Sequence, residues 1–168
     1  MLISLIRALL CVFALLSAFS SAAAEITACD LIDKATASQI IGRPVARGPT
    51  ASRNVLADKI RKDCDFSAEG APVTVVTVTL WEFKSSSDAK TWADKANTPR
   101  VPSGSIETER SMGDAAVWWT GENSAGYVVR KGVRVLEVYV RSAAQPFKIT
   151  SSMRQQLRRA VLRATEKL

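Results

Sequence analysis

Histidine is absent from all 168 residues. Its absence removes Ser-His-Asp and Cys-His catalysis, imidazole-based metal sites and the commonest general base near neutral pH. Cysteine is scarce, with three residues: Cys11, Cys29 and Cys64. A phosphate-cradling loop is missing too. Gly42 and Gly48 lie close together, but no Lys-Ser/Thr pair follows them. Long apolar runs are confined to the start. Residues 8–19 form a twelve-residue apolar stretch, well short of the ~20 residues that span a bilayer.

That stretch reads as a secretory leader. Arg7 supplies the charged n-region, and the small residues 20–24 end in an Ala-x-Ala site, so cleavage is expected after Ala24. Residues 25–168 would then make one α+β domain of ordinary size with no transmembrane span. The formal charge of +7 falls to +6 when Arg7 leaves. A charge of that size favours solubility and anionic surroundings without naming a partner.

Cys29 admits two readings. Ile26-Thr27-Ala28-Cys29 fits the loose pattern at which a leader is cut and lipid is attached to the new N-terminal cysteine. Alternatively, Cys29 pairs with Cys64 in a disulfide, which an exporting compartment permits. Two observations weigh toward the disulfide. Cys29 lies ten residues beyond Phe19 with the charged Glu25 between them, and lipidation would leave Cys64 a free thiol.

Asp30 or Asp33 can cap a helix running to Ile41, which Gly42 and Pro44 terminate. Residues 43–58 read as a long loop with three arginines and no acid before Asp58. Residues 59–67 suggest an edge strand. Residues 72–83 are rich in Val and Thr, the β-branched residues that suit a pleated surface. Ala89, Trp92, Ala93 and Ala96 recur at helical spacing after Ser85-Ser86-Ser87, and Pro99 stops that helix. Shorter strands are expected at 106–110, 115–120, 125–130 and 133–141. A closing helix, capped by Thr150 or Ser151, follows Pro146. The fold expected is α+β: an antiparallel sheet of five or six strands, three helices and one disulfide.

Candidate chemistry is sparse. Asp63/Asp65 and Glu107/Glu109 are the closest acidic pairs, each at i and i+2 on a strand and each among basic neighbours. They read as solvated strand faces. In the closing helix, Met153, Leu157, Ala160, Val161, Ala164 and Leu168 form one stripe. Arg154 and Arg158 flank one side of it, and Arg159, Arg163 and Lys167 flank the other. The charge borders a core stripe, and no aromatic residue interleaves for base stacking, so no nucleic-acid partner is expected. Weak contact with an anionic surface is compatible with this helix.

Strand alternation separates two faces. Val76, Val78 and Leu80 join Leu136, Val138 and Val140 on an aliphatic face. Thr77, Thr79, Trp81 and Phe83 join Glu137, Tyr139 and Arg141 on a mixed one. Trp81, Phe83 and Tyr139 are candidate contacts for an apolar or aromatic ligand, with Arg141 as an anion partner. Packing under a helix or the long loop would explain the same pattern. Gly113 and Asp114 mark a structural turn, Gly113 permitting positive φ and Asp114 able to bond nearby amides.

Cys29-Asp30-Leu31-Ile32, Ile41-Gly42-Arg43-Pro44-Val45, Cys64-Asp65-Phe66 and Met112-Gly113-Asp114-Ala115-Ala116 occur in that order. In this the chain resembles the small exported domains of unknown function typical of actinobacterial lipoproteins and secreted proteins. It is also similar to the extracellular sensor domain of mycobacterial receptor kinases. The resemblance implies a compact α+β fold with a cysteine pair and a ligand- or envelope-sensing role. It carries over only the cysteines and the Gly113-Asp114 turn.

Two functional expectations follow. The first is a non-enzymatic domain, periplasmic or secreted and without cofactor or metal, that binds a small ligand or a cell-envelope component. The second is an envelope-associated interaction or inhibitor protein. It would turn a basic surface (Arg43, Arg47, Arg53 and the closing helix) toward an anionic polymer or a partner protein.

Overall fold

A computed structural model describes residues 25–45, 49–96, 104–144 and 147–168. The leader with Arg7 and Cys11, the loop residues Arg47 and Gly48, and the breakers Pro99 and Pro146 lie outside the described residues.

The chain forms α1 (Ala28–Leu31), α2 (Lys34–Ile41), β1 (Thr50–Val55), β2 (Lys59–Ser67), β3 (Thr74–Phe83), α3 (Ser86–Ala96), β4 (Ile106–Glu109), β5 (Ala115–Thr120), β6 (Ser124–Lys131), β7 (Arg134–Ser142) and α4 (Ser151–Glu166). The strands make one antiparallel sheet in the order β1-β2-β3-β7-β6-β5-β4. The fold is α+β, with seven strands and four helices among the described residues in place of the five or six strands and three helices expected.

Each difference has a local cause. The single helix expected up to Ile41 is split because both candidate caps act. Asp30, in the first turn of α1, accepts from the Thr27 amide and hydroxyl at 2.9 and 2.7 Å and fixes the start of α1. Ile32 is extended, and Asp33 accepts from the Thr36 amide at 2.7 Å to start α2. The extra strand is β1, inside the segment read as a loop. All six of its residues are exposed, so no hydrophobic alternation announces it. It exists because β2 offers a free ladder. β2 is therefore not an edge strand: β1 covers it.

Helices lie on both sides of the sheet. The aliphatic face packs under α1, α2 and α4, with Val76, Val78, Leu80, Leu136, Val138 and Val140 fully buried against Ile40, Leu157 and Val161. Arg154 and Arg158 of α4 clasp the β4 edge through Glu107 and Glu109, and Arg154 lies 4.7 Å above the Trp118 ring. The other face packs under α3, whose Ala89, Ala93 and Ala96 meet Phe83, Val117, Val128 and Val135.

Cys29 and Cys64 are joined in a disulfide that ties α1 to β2. The bond occupies the sulfur that a lipid anchor would require. No described helix is long and apolar enough to cross a membrane.

Candidate functional site

The mixed face is built in rows, because antiparallel register places partners side by side. Lys59 stands beside Phe83, Arg61 beside Trp81, Asp63 beside Thr79 and Asp65 beside Thr77. On the other flank, Trp81 meets Val135, Thr79 meets Glu137, Thr77 meets Tyr139 and Val75 meets Arg141.

At one end lies an aromatic and cationic cluster. Trp92 of α3 sits 5.3 Å from Trp81 and 6.3 Å from Phe83, in tilted contacts. Lys59 lies 5.7 Å from the Trp81 ring and 5.9 Å from the Phe83 ring, and the Arg61 guanidinium 5.1 Å from Trp81. These are cation–π distances. Trp81 and Trp92 are partly exposed. The Trp81 Nε1 is enclosed without a hydrogen-bond partner.

In the middle runs a ladder of hydroxyls and carboxylates. Thr77 Oγ1 donates to Asp65, and Thr79 Oγ1 donates to Asp63 at 2.7 Å. Asp63 also accepts from Arg61 Nε at 2.9 Å and from Ser52 Oγ at 3.3 Å. The same guanidinium thus binds Asp63 and covers Trp81, which fixes its orientation. Asp63 and Asp65 are tied into this network rather than left as a solvated acidic face. Glu107 and Glu109 are bound as well, by Arg154 and Arg158. The Arg158 hydrogen bond holds the Glu109 carboxyl below the usual carboxylate range.

The four candidate ligand contacts therefore separate. Trp81 and Phe83 belong to the aromatic cluster, where Phe83 is buried and Trp81 remains reachable. Tyr139 stacks on Trp119 at 5.8 Å. Gly126 makes that contact possible: it lies between the two in register, and a Cβ there would come within 2.4 Å of the Tyr139 Cβ. Arg141 stands at the far end, half exposed, 3.9 Å from Asp65. It lines a cleft of about 290 Å³ with Val73, Val75 and Asn123.

Gly113 and Asp114 clamp the β6–β7 hairpin. Gly113 has φ +56, and a Cβ there would come within 2.4 Å of the Arg130 carbonyl. The Asp114 carboxylate accepts from Arg130 Nη1 at 2.9 Å and from the Gly132 amide at 2.8 Å. A cleft of about 320 Å³ opens beside this turn. Its acids are already engaged: Asp94 by Lys90, Glu109 by Arg158 and Asp114 by Arg130.

Two functional groups escaped the sequence reading. Trp92 was legible only as a helix-face residue, because its partners come from a strand nine and eleven positions earlier. Lys62 is buried on the aliphatic side. Its ammonium reaches the Ile26 carbonyl, Glu25 and Glu82 at 2.9, 2.9 and 2.8 Å, three acceptors for three donors. Nothing local in the sequence pairs residue 62 with residues 25, 26 and 82.

Of the described loop arginines, Arg43 is engaged by internal acceptors and Arg53 stands in an exposed ion pair. Arg43 donates to the Pro72 carbonyl at 2.9 Å and to Thr74 Oγ1 at 3.0 Å, and Arg53 pairs with Glu25 at 3.3 Å. No family model, curated protein or solved structure matches the chain.

Proposed function

We propose that this chain is a non-enzymatic exported domain, acting in the periplasm or outside the cell, that binds a small ligand or a cell-envelope component through the mixed face of its sheet. The observation that carries this reading is the cluster of Trp81, Trp92, Lys59 and Arg61. Two partly exposed indoles with cations against their rings suit a ligand that has a flat apolar surface and an anionic group. The absence of histidine, the engaged carboxylates and the paired cysteines support a binding role over a catalytic one. So does the resemblance to sensor-like exported domains. The basic-surface alternative has less to draw on, because Arg43, Arg154 and Arg158 already have partners.

Soluble chitin oligomers serve as a neutral glycan probe and polyphosphate as an anionic one. The chain has four tryptophans, so four indole N–H resonances report the contact. Binding at the mixed face shifts Trp81 and Trp92, leaves Trp118 in place and is lost in Trp81→Ala. Retention of binding at about 1 M salt, where the screening length is about 3 Å, marks apolar contact. Loss at that salt with unshifted Trp81 and Trp92 signals favours the basic-surface reading instead.

A further inference from the structure

The two edges of the sheet are unequally guarded. β4 is four residues long and presents Glu107 and Glu109, both held by arginines of α4. Short, charged edges discourage pairing with another chain. β1 is six residues long, is exposed throughout and carries one charged residue, Arg53. It contains no proline. The Leu56 amide donates to the Lys59 carbonyl at 2.8 Å and sets the phase of the hairpin. Thr50, Ser52 and Asn54 turn their backbone groups toward β2, and Ala51, Arg53 and Val55 turn theirs outward. Three amides and three carbonyls thus face away from the sheet.

A cleft of about 250 Å³ adjoins this edge. Ala28, Cys29 and Ala51 wall it, and Glu25, Arg53, Lys62 and Asp63 rim it. It lies on the side of the sheet where Ala51 stands beside Cys64 and Arg53 beside Lys62. The disulfide holds α1 against β2, so the wall is fixed.

We propose that β1 is a strand-addition site for an extended, acidic segment of a partner protein. The segment pairs antiparallel with residues 51–55, sets a small apolar side chain in the cleft and places a carboxylate opposite Arg53. Main-chain pairing supplies the affinity, and the cleft reads alternate side chains. Charge selects the partner. Without the leader the chain carries +6, and residues 43–57 hold no acid and place Arg53 on the strand itself. Self-pairing is disfavoured by the same charge. The two-fold register that satisfies every outward group stacks Arg53 on Arg53 of the second copy, and like charges directly opposed destabilise a ladder. Arg53 is available, since its pairing with Glu25 joins two side chains that are 50% and 59% exposed, and such pairs contribute little. The site lies on the edge, apart from the aromatic cluster, and does not depend on the reading of the mixed face.

The test pans a random peptide display library on the protein purified from its host. The enriched peptides are then measured by titration and by hydrogen exchange. They are expected to alternate apolar and polar residues, to carry Asp or Glu, and to slow exchange at Ala51, Arg53 and Val55. Ala51→Pro removes one outward donor at a position where proline is tolerated, and is expected to weaken binding by about tenfold or more. Arg53→Glu is expected to shift the selection to basic peptides. Hydrogen exchange on the unaltered protein reads the same contact should Ala51→Pro misfold. The proposal is overturned if no peptide is enriched above an unrelated bait, or if the enriched peptides protect other amides. It is equally overturned if they bind Ala51→Pro unchanged, or if sedimentation shows β1 occupied by a second copy.

Discussion

On one side of the sheet, β3 and β7 present Val76, Val78, Leu80, Leu136, Val138 and Val140, each with no exposed surface. On the other side the same two strands present Thr77, Thr79, Trp81, Glu137, Tyr139 and Arg141. Successive side chains of a strand point to opposite faces, so one stretch of backbone serves both. The aliphatic side needs nothing but shape and dryness to contribute stability. The mixed side also buries polar groups, and Thr77 and Thr79 find their partners in Asp65 and Asp63, whereas the Trp81 Nε1 has none. Conformational stability is expected to reside on the first face, and under the proposed binding role the ligand contacts lie on the second.

The largest expected effect comes from the aliphatic face. Leu136→Ala removes a fully buried side chain in a central strand and should cost about 2–5 kcal/mol in denaturant unfolding. Cys29→Ala with Cys64→Ala removes the staple on the same side and should cost about 2–4 kcal/mol, with the ligand probes still shifting Trp81. A loss near zero for either would mean that the aliphatic face is not where stability resides. Gly113→Ala acts at the turn beside the aliphatic core, where a Cβ would also come within 2.8 Å of Val129 Cγ1. Its φ of +56 and the 2.4 Å approach to the Arg130 carbonyl predict a loss of about 1–3 kcal/mol, read by the same unfolding curves.

The smallest effect is electrostatic. Arg158 holds the Glu109 carboxyl below the usual range. A depressed carboxylate contributes stability that is complete above its unfolded value and is lost as pH falls through its folded one. Glu109→Gln removes that contribution, so its stability should decline less steeply than the parent's as pH falls below about 5. Parallel declines for the two proteins would remove the Arg158–Glu109 clasp from the account.

Much of this comparison was legible in the sequence. Alternation in residues 72–83 and 133–141 separated the two faces, and the two cysteines beyond the leader pointed to the disulfide. The parts that were not legible share a physical reason. β1 has no buried face, so hydrophobic periodicity is silent about it, and only its hydrogen-bonding partner defines it. The split at Ile32 turned on two adjacent caps that were read as alternatives and that both act. The grouping of Trp81 with Phe83 was visible at i and i+2. Their separation from Tyr139 and Arg141, and the arrival of Trp92 and Lys59, depend on strand order and register. Nothing local marks Lys62 as buried, because its three acceptors come from residues 25, 26 and 82.

The most direct test of the division between the faces measures unfolding and probe binding on the same two variants, Leu136→Ala and Trp81→Ala. The account predicts that Leu136→Ala loses about 2–5 kcal/mol yet binds normally where it is folded. It predicts that Trp81→Ala loses less, about 1–2 kcal/mol, as a partly exposed side chain, and no longer binds. If Trp81→Ala instead destabilises as much as Leu136→Ala and its folded fraction binds like the parent, the mixed face is a second core and the division fails.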